Sequence, residues 1–152
     1  MDKTLILLGF FVGVVLTSAL FIQFSPSIGI TSNVISAPSA GIYTDNITAY
    51  PNHVVIYIQN ATISNYANTG SMMPMLNENA HGIEIKPTNE SQINVGDIIS
   101  FNQSGIIIVH RVVEKGYDSK GLYFITKGDS SDIPDSPIRF SDIQYKTVGV
   151  LY

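Results

Sequence analysis

No cysteine occurs among the 152 residues, so the chain can form neither disulfides nor a thiolate metal site. Histidine is nearly as scarce. His53, His81 and His110 stand apart, without the spacing of a zinc site, and no metal or other cofactor is expected. Charged residues make up only 13% of the chain, the formal net charge is -4, and the Lys and Arg beyond Lys3 are scattered. Binding a phosphate backbone needs cations gathered on one surface, so nucleic acid is not an expected partner. Beyond the N-terminal apolar segment no stretch sustains a 3.6-residue apolar repeat, and no internal repeat is visible.

What is present begins with a long uncharged run. Between Thr4 and Tyr43 no side chain carries a charge at neutral pH, and Leu5 to Phe24 is almost wholly apolar. At 1.5 Å per residue that segment is long enough to cross about 30 Å of hydrocarbon, which predicts a transmembrane helix. A cleavable signal peptide would have a shorter apolar stretch and a small-x-small site. Ala37 and Ala40 offer a poor one, well past the apolar run. Lys3 favours an inside N-terminus and an outside domain, hence a single-pass protein of the cytoplasmic membrane in contact with its lipid. Four Asn-x-Ser/Thr tripeptides, starting at Asn46, Asn60, Asn89 and Asn102, are compatible with an exterior location.

The expected organisation is an anchor over residues 1–24, a spacer over 25–52 and one β-rich domain over 53–152. The spacer is rich in Ser, Pro, Gly, Ala and Thr. After it, short β-branched and aromatic runs alternate with turn residues, predicting strands at Val54–Gln59, Ala61–Tyr66, Ile83–Lys86, Asp97–Asn102, Ile106–Glu114, Leu122–Lys127 and Thr147–Leu151. Ser136 to Asp142 is expected to form at most a short helical turn. The Ile106–Glu114 run is apolar on both faces, so it belongs inside a sheet. It carries His110 and Arg111, one on each face. Each needs a partner, since an unsatisfied buried polar group costs about 1–3 kcal/mol and a charge more.

A serine hydroxyl needs a base within about 2.6–3.2 Å, and that base needs an acceptor to fix its tautomer. Ser71, His110 and Asp135 can fill those roles. A histidine with a reference pKa of about 6.5 is mostly neutral at pH 7, whereas a lysine base would have to be lowered by roughly three units. Gly70 permits a sharp turn and Pro74 interrupts regular pairing, so Ser71 is expected at an exposed strand end. The Ser71 N–H and the Thr69 hydroxyl are the candidate oxyanion donors. Asp129, Asp132 and Asp135 also admit the reading of a solvated acidic turn, and spacing alone does not choose among them.

Thr69-Gly70-Ser71-Met72-Met73-Pro74, Gly96-Asp97-Ile98-Ile99, Val109-His110-Arg111-Val112 and Lys127-Gly128-Asp129 together resemble type I signal peptidases of the archaeal and endoplasmic-reticulum kind, over about Ser64 to Tyr152. The resemblance implies a signal-peptidase-like β-sheet domain behind an N-terminal anchor. It implies Ser71 as nucleophile, His110 as general base, Asp135 as the carboxylate holding the histidine, and Asp129 as a supporting acid that shapes the loop. Thr69 stands where the family usually has serine, Ser130-Ser131 where asparagines are common, and Asn77 to Asn94 lengthen the usual spacing. The expected activity is a serine endopeptidase removing signal peptides from secretory pre-proteins, with the protein-export machinery as a further partner. The alternative from another class is an inactive membrane-tethered β-domain that binds peptides or surface proteins. Repressor-type Ser-Lys self-cleavage ranks last, because no lysine aligns with His110.

Overall fold

A computed structural model describes residues 42–152. The expected anchor and the spacer as far as residue 41 lie outside the described residues. Among the described residues no helix is long and apolar enough to cross a membrane.

The domain is mainly β and wholly antiparallel. A two-stranded hairpin joins β1 (Ile47–Ala49) to β2 (Val54–Ile56), and six strands form the main sheet: β3 (Ala61–Asn65), β4 (His81–Ile85), β5 (Ile98–Gln103), β6 (Ile106–Asp118), β7 (Gly121–Lys127) and β8 (Ile143–Leu151). Their order across the sheet is β3-β4-β8-β5-β6-β7. Among the described residues helix is limited to three single 3-10 turns, one of them Phe140–Asp142 inside the stretch expected to form a short turn. The hairpin runs across the expected spacer boundary at residue 52, so ordered pairing starts earlier than composition suggested.

Successive residues of a strand face opposite sides, and β5 uses both. Ile99 and Phe101 enter one core with Ile93, Val112, Phe124 and Ile143, while Ile98 enters a second with Met72, Leu76 and Ala80. Apolar packing on both faces explains why the adjacent Ile98 and Ile99 are both apolar and both buried. At about 1.5–3 kcal/mol for each large side chain buried, the two cores supply the main force fixing β5 and β6.

β6 stands between β5 and β7 in the sheet order, but it changes neighbours along its length, and Ile106 and Ile107, expected inside the sheet, are 67% and 54% exposed. Ile106 to Arg111 pairs with β5, and Arg111 to Asp118 pairs with β7. Among the described strands nothing pairs with the other side of Ile106 to His110, and the outer side of β3 is likewise unpaired. The register slips between Val112 and Glu114, where one extra residue raises the local twist and turns the distal part of β6 away.

Candidate active site

His110 leaves β6 where the β7 partnership is just beginning, and its Nδ1 lies 2.6 Å from Asp135 Oδ2. A carboxylate can only accept, so Nδ1 carries the proton and Nε2 keeps its lone pair in the neutral ring. Two bonds to one residue hold Asp135 there. Its backbone N–H donates to Thr126 O at 2.8 Å, and its Oδ2 accepts from Thr126 Oγ1 at 2.7 Å. The imidazole and carboxylate side chains retain 15% and 19% of their exposure, which strengthens their electrostatic contact without sealing it from substrate.

Nε2 faces the Ser71 loop. A Cβ built on Gly128 would lie 3.1 Å from His110 Nε2, 3.3 Å from Ser71 Cβ and 2.6 Å from Ser71 O. The imidazole and the serine therefore flank the same small space, kept open by the missing side chain. Gly70 turns the chain into Ser71 at φ +72°, a left-handed conformation that glycine adopts without strain. The next residues fold into a turn, with Met73 N donating to Gly70 O at 3.2 Å and Leu76 N to Met72 O at 2.9 Å. Ser71 therefore sits at the head of this turn, several residues past β3, and not at a strand end as expected. The turn wins because Met72 and Leu76 bury themselves in the second core only if the chain coils back.

The loop after β7 locks the serine loop in place. Ser130 N donates to Ser71 O at 3.0 Å, and Ser130 Oγ donates to Gly70 O at 2.6 Å. Lys127 Nζ donates to the carbonyls of Gly128 and Ser131, tightening the same loop. Thr69 Oγ1 stands 3.1 Å from Ser71 Oγ and 3.4 Å from Ser71 N. The Ser71 N–H thus points to the Thr69 hydroxyl, which in turn borders the Ser71 hydroxyl.

Asp129 serves another partner. Arg111 Nε and Nη2 donate to its two carboxylate oxygens at 2.8 and 2.7 Å, and Arg111 Nη1 donates to Gly96 O at 2.8 Å. Both side chains are only 4% exposed. The geometry gives Asp129 to the guanidinium and Asp135 to the imidazole. Asp132 is exposed. His53 stacks on Tyr50 and His81 Nδ1 pairs with Asn65 Oδ1, both at the surface. Among the described residues no group of three or more acidic or histidine side chains could hold a metal ion.

Thr126 was missed by the sequence reading, although a signal for it existed. On β7 the buried positions alternate as Leu122, Phe124, Thr126, and a hydroxyl occupies the last place where the pattern calls for an apolar side chain. A buried hydroxyl needs a partner, and Asp135 is that partner.

A cavity of about 520 Å³ opens beside Ser71 and His110, lined among others by Asn65, Tyr66, Met72 and Ile107. It lies between the segment from Asn65 to Leu76 that follows β3 and residues Ile106 to His110, the stretch of β6 that pairs with β5 alone among the described strands. No family model, curated protein or solved structure matches the chain.

Proposed function

We propose that the protein is a membrane-anchored serine endopeptidase of the signal peptidase I type, acting on the outer face of the cytoplasmic membrane. The observation that carries this reading is the three-point arrangement of Asp135 bonded to His110 Nδ1 at 2.6 Å, with His110 Nε2 and Ser71 on either side of Gly128. In it Nε2 takes the Ser71 proton as Oγ attacks the scissile carbonyl, and later delivers that proton to the leaving amine. Asp135 stabilises the imidazolium formed between those steps. Water then attacks the acyl-enzyme with His110 as base, releasing the product and restoring Ser71.

The oxyanion would meet the Ser71 N–H and the Thr69 hydroxyl, each donor worth about 10²–10³ in kcat where such sites have been dissected. An extended substrate suits the cleft, because a strand laid along the start of β6 finds backbone groups left unpaired by the described strands. Signal peptides of secretory pre-proteins, with small residues one and three positions before the bond, are the proposed substrates. The anchor over residues 1–24 would hold enzyme and pre-protein in one membrane plane. In membranes carrying the full chain, Ser71→Ala and His110→Ala are each expected to abolish processing of a pre-protein while leaving thermal unfolding unchanged. Continued processing by both variants removes this mechanism.

A further inference from the structure

A second cavity of about 360 Å³ adjoins the cleft and shares Asn65, Tyr66, Ile107 and Val109 with it. Its character is different. Glu84 projects into it from β4 at 4% exposure, and among the described residues no lysine, arginine or histidine pairs with that carboxylate. The hydrogen bond given to it is from the Tyr66 hydroxyl, at a long 3.4 Å. Two further hydroxyls line the same space: Ser64 Oγ, beside the Tyr66 hydroxyl, and Ser100 Oγ, buried without a hydrogen-bond partner. The sheet is built to keep this arrangement. A Cβ on Gly82 would lie 1.9 Å from Tyr66 Oη and 2.8 Å from Ser64 Oγ, so only glycine lets the phenol cross β4.

A buried carboxylate without a cation among the described residues, beside an unsatisfied hydroxyl, is unfavourable in isolation and becomes favourable when a multi-donor cation enters. We propose that this cavity is a substrate subsite for a basic side chain, whose ammonium is held by Glu84, Ser64 and Ser100 at one position of the bound peptide. The inference rests on the peptidase reading for its substrate and deepens it: the groove selects charge at a second point besides small size near Ser71. A lysine suits the entrance, because its methylene stem passes Ile107 and Val109 while its three N–H donors reach the three acceptors. An apolar side chain of the same length would bring neither charge nor donors to Glu84 and Ser100.

The test walks a lysine one position at a time along an internally quenched peptide, with norleucine at the same positions as the uncharged counterpart. At one position the full-length enzyme is expected to favour lysine by about tenfold in kcat/KM. Glu84→Gln should bring that preference close to unity, read as the ratio of kcat/KM for the lysine peptide to that for the norleucine peptide. Ser100→Ala, a milder change, serves if Glu84→Gln does not fold, and is expected to lower the preference about threefold. Binding of the same peptides to Ser71→Ala separates the two readings. Cleavage with no lysine preference anywhere overturns the subsite and spares the peptidase. Tighter lysine binding without any cleavage does the reverse, and neither cleavage nor binding overturns both.

Discussion

Replacing Asp129 by alanine tests the assignment of the two loop carboxylates most directly. The substitution removes the bonds at 2.8 and 2.7 Å and leaves the Arg111 guanidinium with Gly96 O as its remaining acceptor, in a site where both side chains are 4% exposed. Breaking a buried pair by deleting one partner costs about 3–5 kcal/mol, since the orphaned charge keeps its desolvation penalty. For a domain of this size roughly 4 °C of Tm is lost per kcal/mol, so Tm should fall by about 12–20 °C. Thermal unfolding followed by circular dichroism, with urea titration for the free energy, reads both quantities. Replacing the pair together, Arg111→Met with Asp129→Leu, should recover most of the loss, because the apolar pair leaves no charge to desolvate. A fall below about 4 °C for Asp129→Ala, or a double variant no better than the single, refutes the claim that this pair is sealed from water and structural.

Asp135→Asn should have the opposite profile, with Tm nearly unchanged and kcat lowered by about 10²–10⁴ as the imidazolium loses its counter-charge, read by peptide cleavage at saturating substrate. Gly128→Ala puts a methyl 3.1 Å from His110 Nε2 and 2.6 Å from Ser71 O, so it is expected to lose at least about 10²-fold in kcat by separating base from nucleophile, in the same assay. Burial holds the Tyr66 phenol above the usual tyrosine range. The stability this implies is complete below the unfolded-state pKa of about 10 and is lost as pH rises through the higher folded value. Urea titrations of wild type and Tyr66→Phe between neutral pH and about pH 11 should therefore show a steeper alkaline decline in the wild type, and parallel curves would contradict it.

Much of the strand pattern was legible because it depends on local chemistry. Val54, Ala61, Ile98, Ile106 and Leu122 each open or lie at the start of a β-branched or aromatic run, and each run is a strand near its expected bounds. The expectation that β6 would be interior met a mixed outcome: it lies between β5 and β7, but Ile106 and Ile107 at its start are exposed. The early start of the hairpin at Ile47 was not legible, because three polar-flanked residues carry little period and their partner lies across Tyr50 to His53. Ser71 was misplaced for a related reason. Gly70 and Pro74 mark a break in the strand, but the turn beyond it is driven by the burial of Met72 and Leu76 against Ile98, a contact distant in the chain.

Composition and order along the chain were enough to determine a mainly β domain without disulfides or a metal spacing, and to single out Ser71, His110 and a downstream aspartate as candidates. Those features are properties of residue type and spacing, which do not depend on how strands are brought together. Which aspartate meets which base was decided by the tertiary structure. His110 and Arg111 are neighbours on one strand and point to opposite sides, so the loop from Gly128 to Asp135 meets the guanidinium with one carboxylate and the imidazole with the other. The same holds for Glu84, an ordinary acid in sequence that becomes a buried, cation-free wall of a cavity only when β3, β4, β5 and β6 curve around it. Burial and charge pairing are properties of the folded sheet, and no local pattern encodes them.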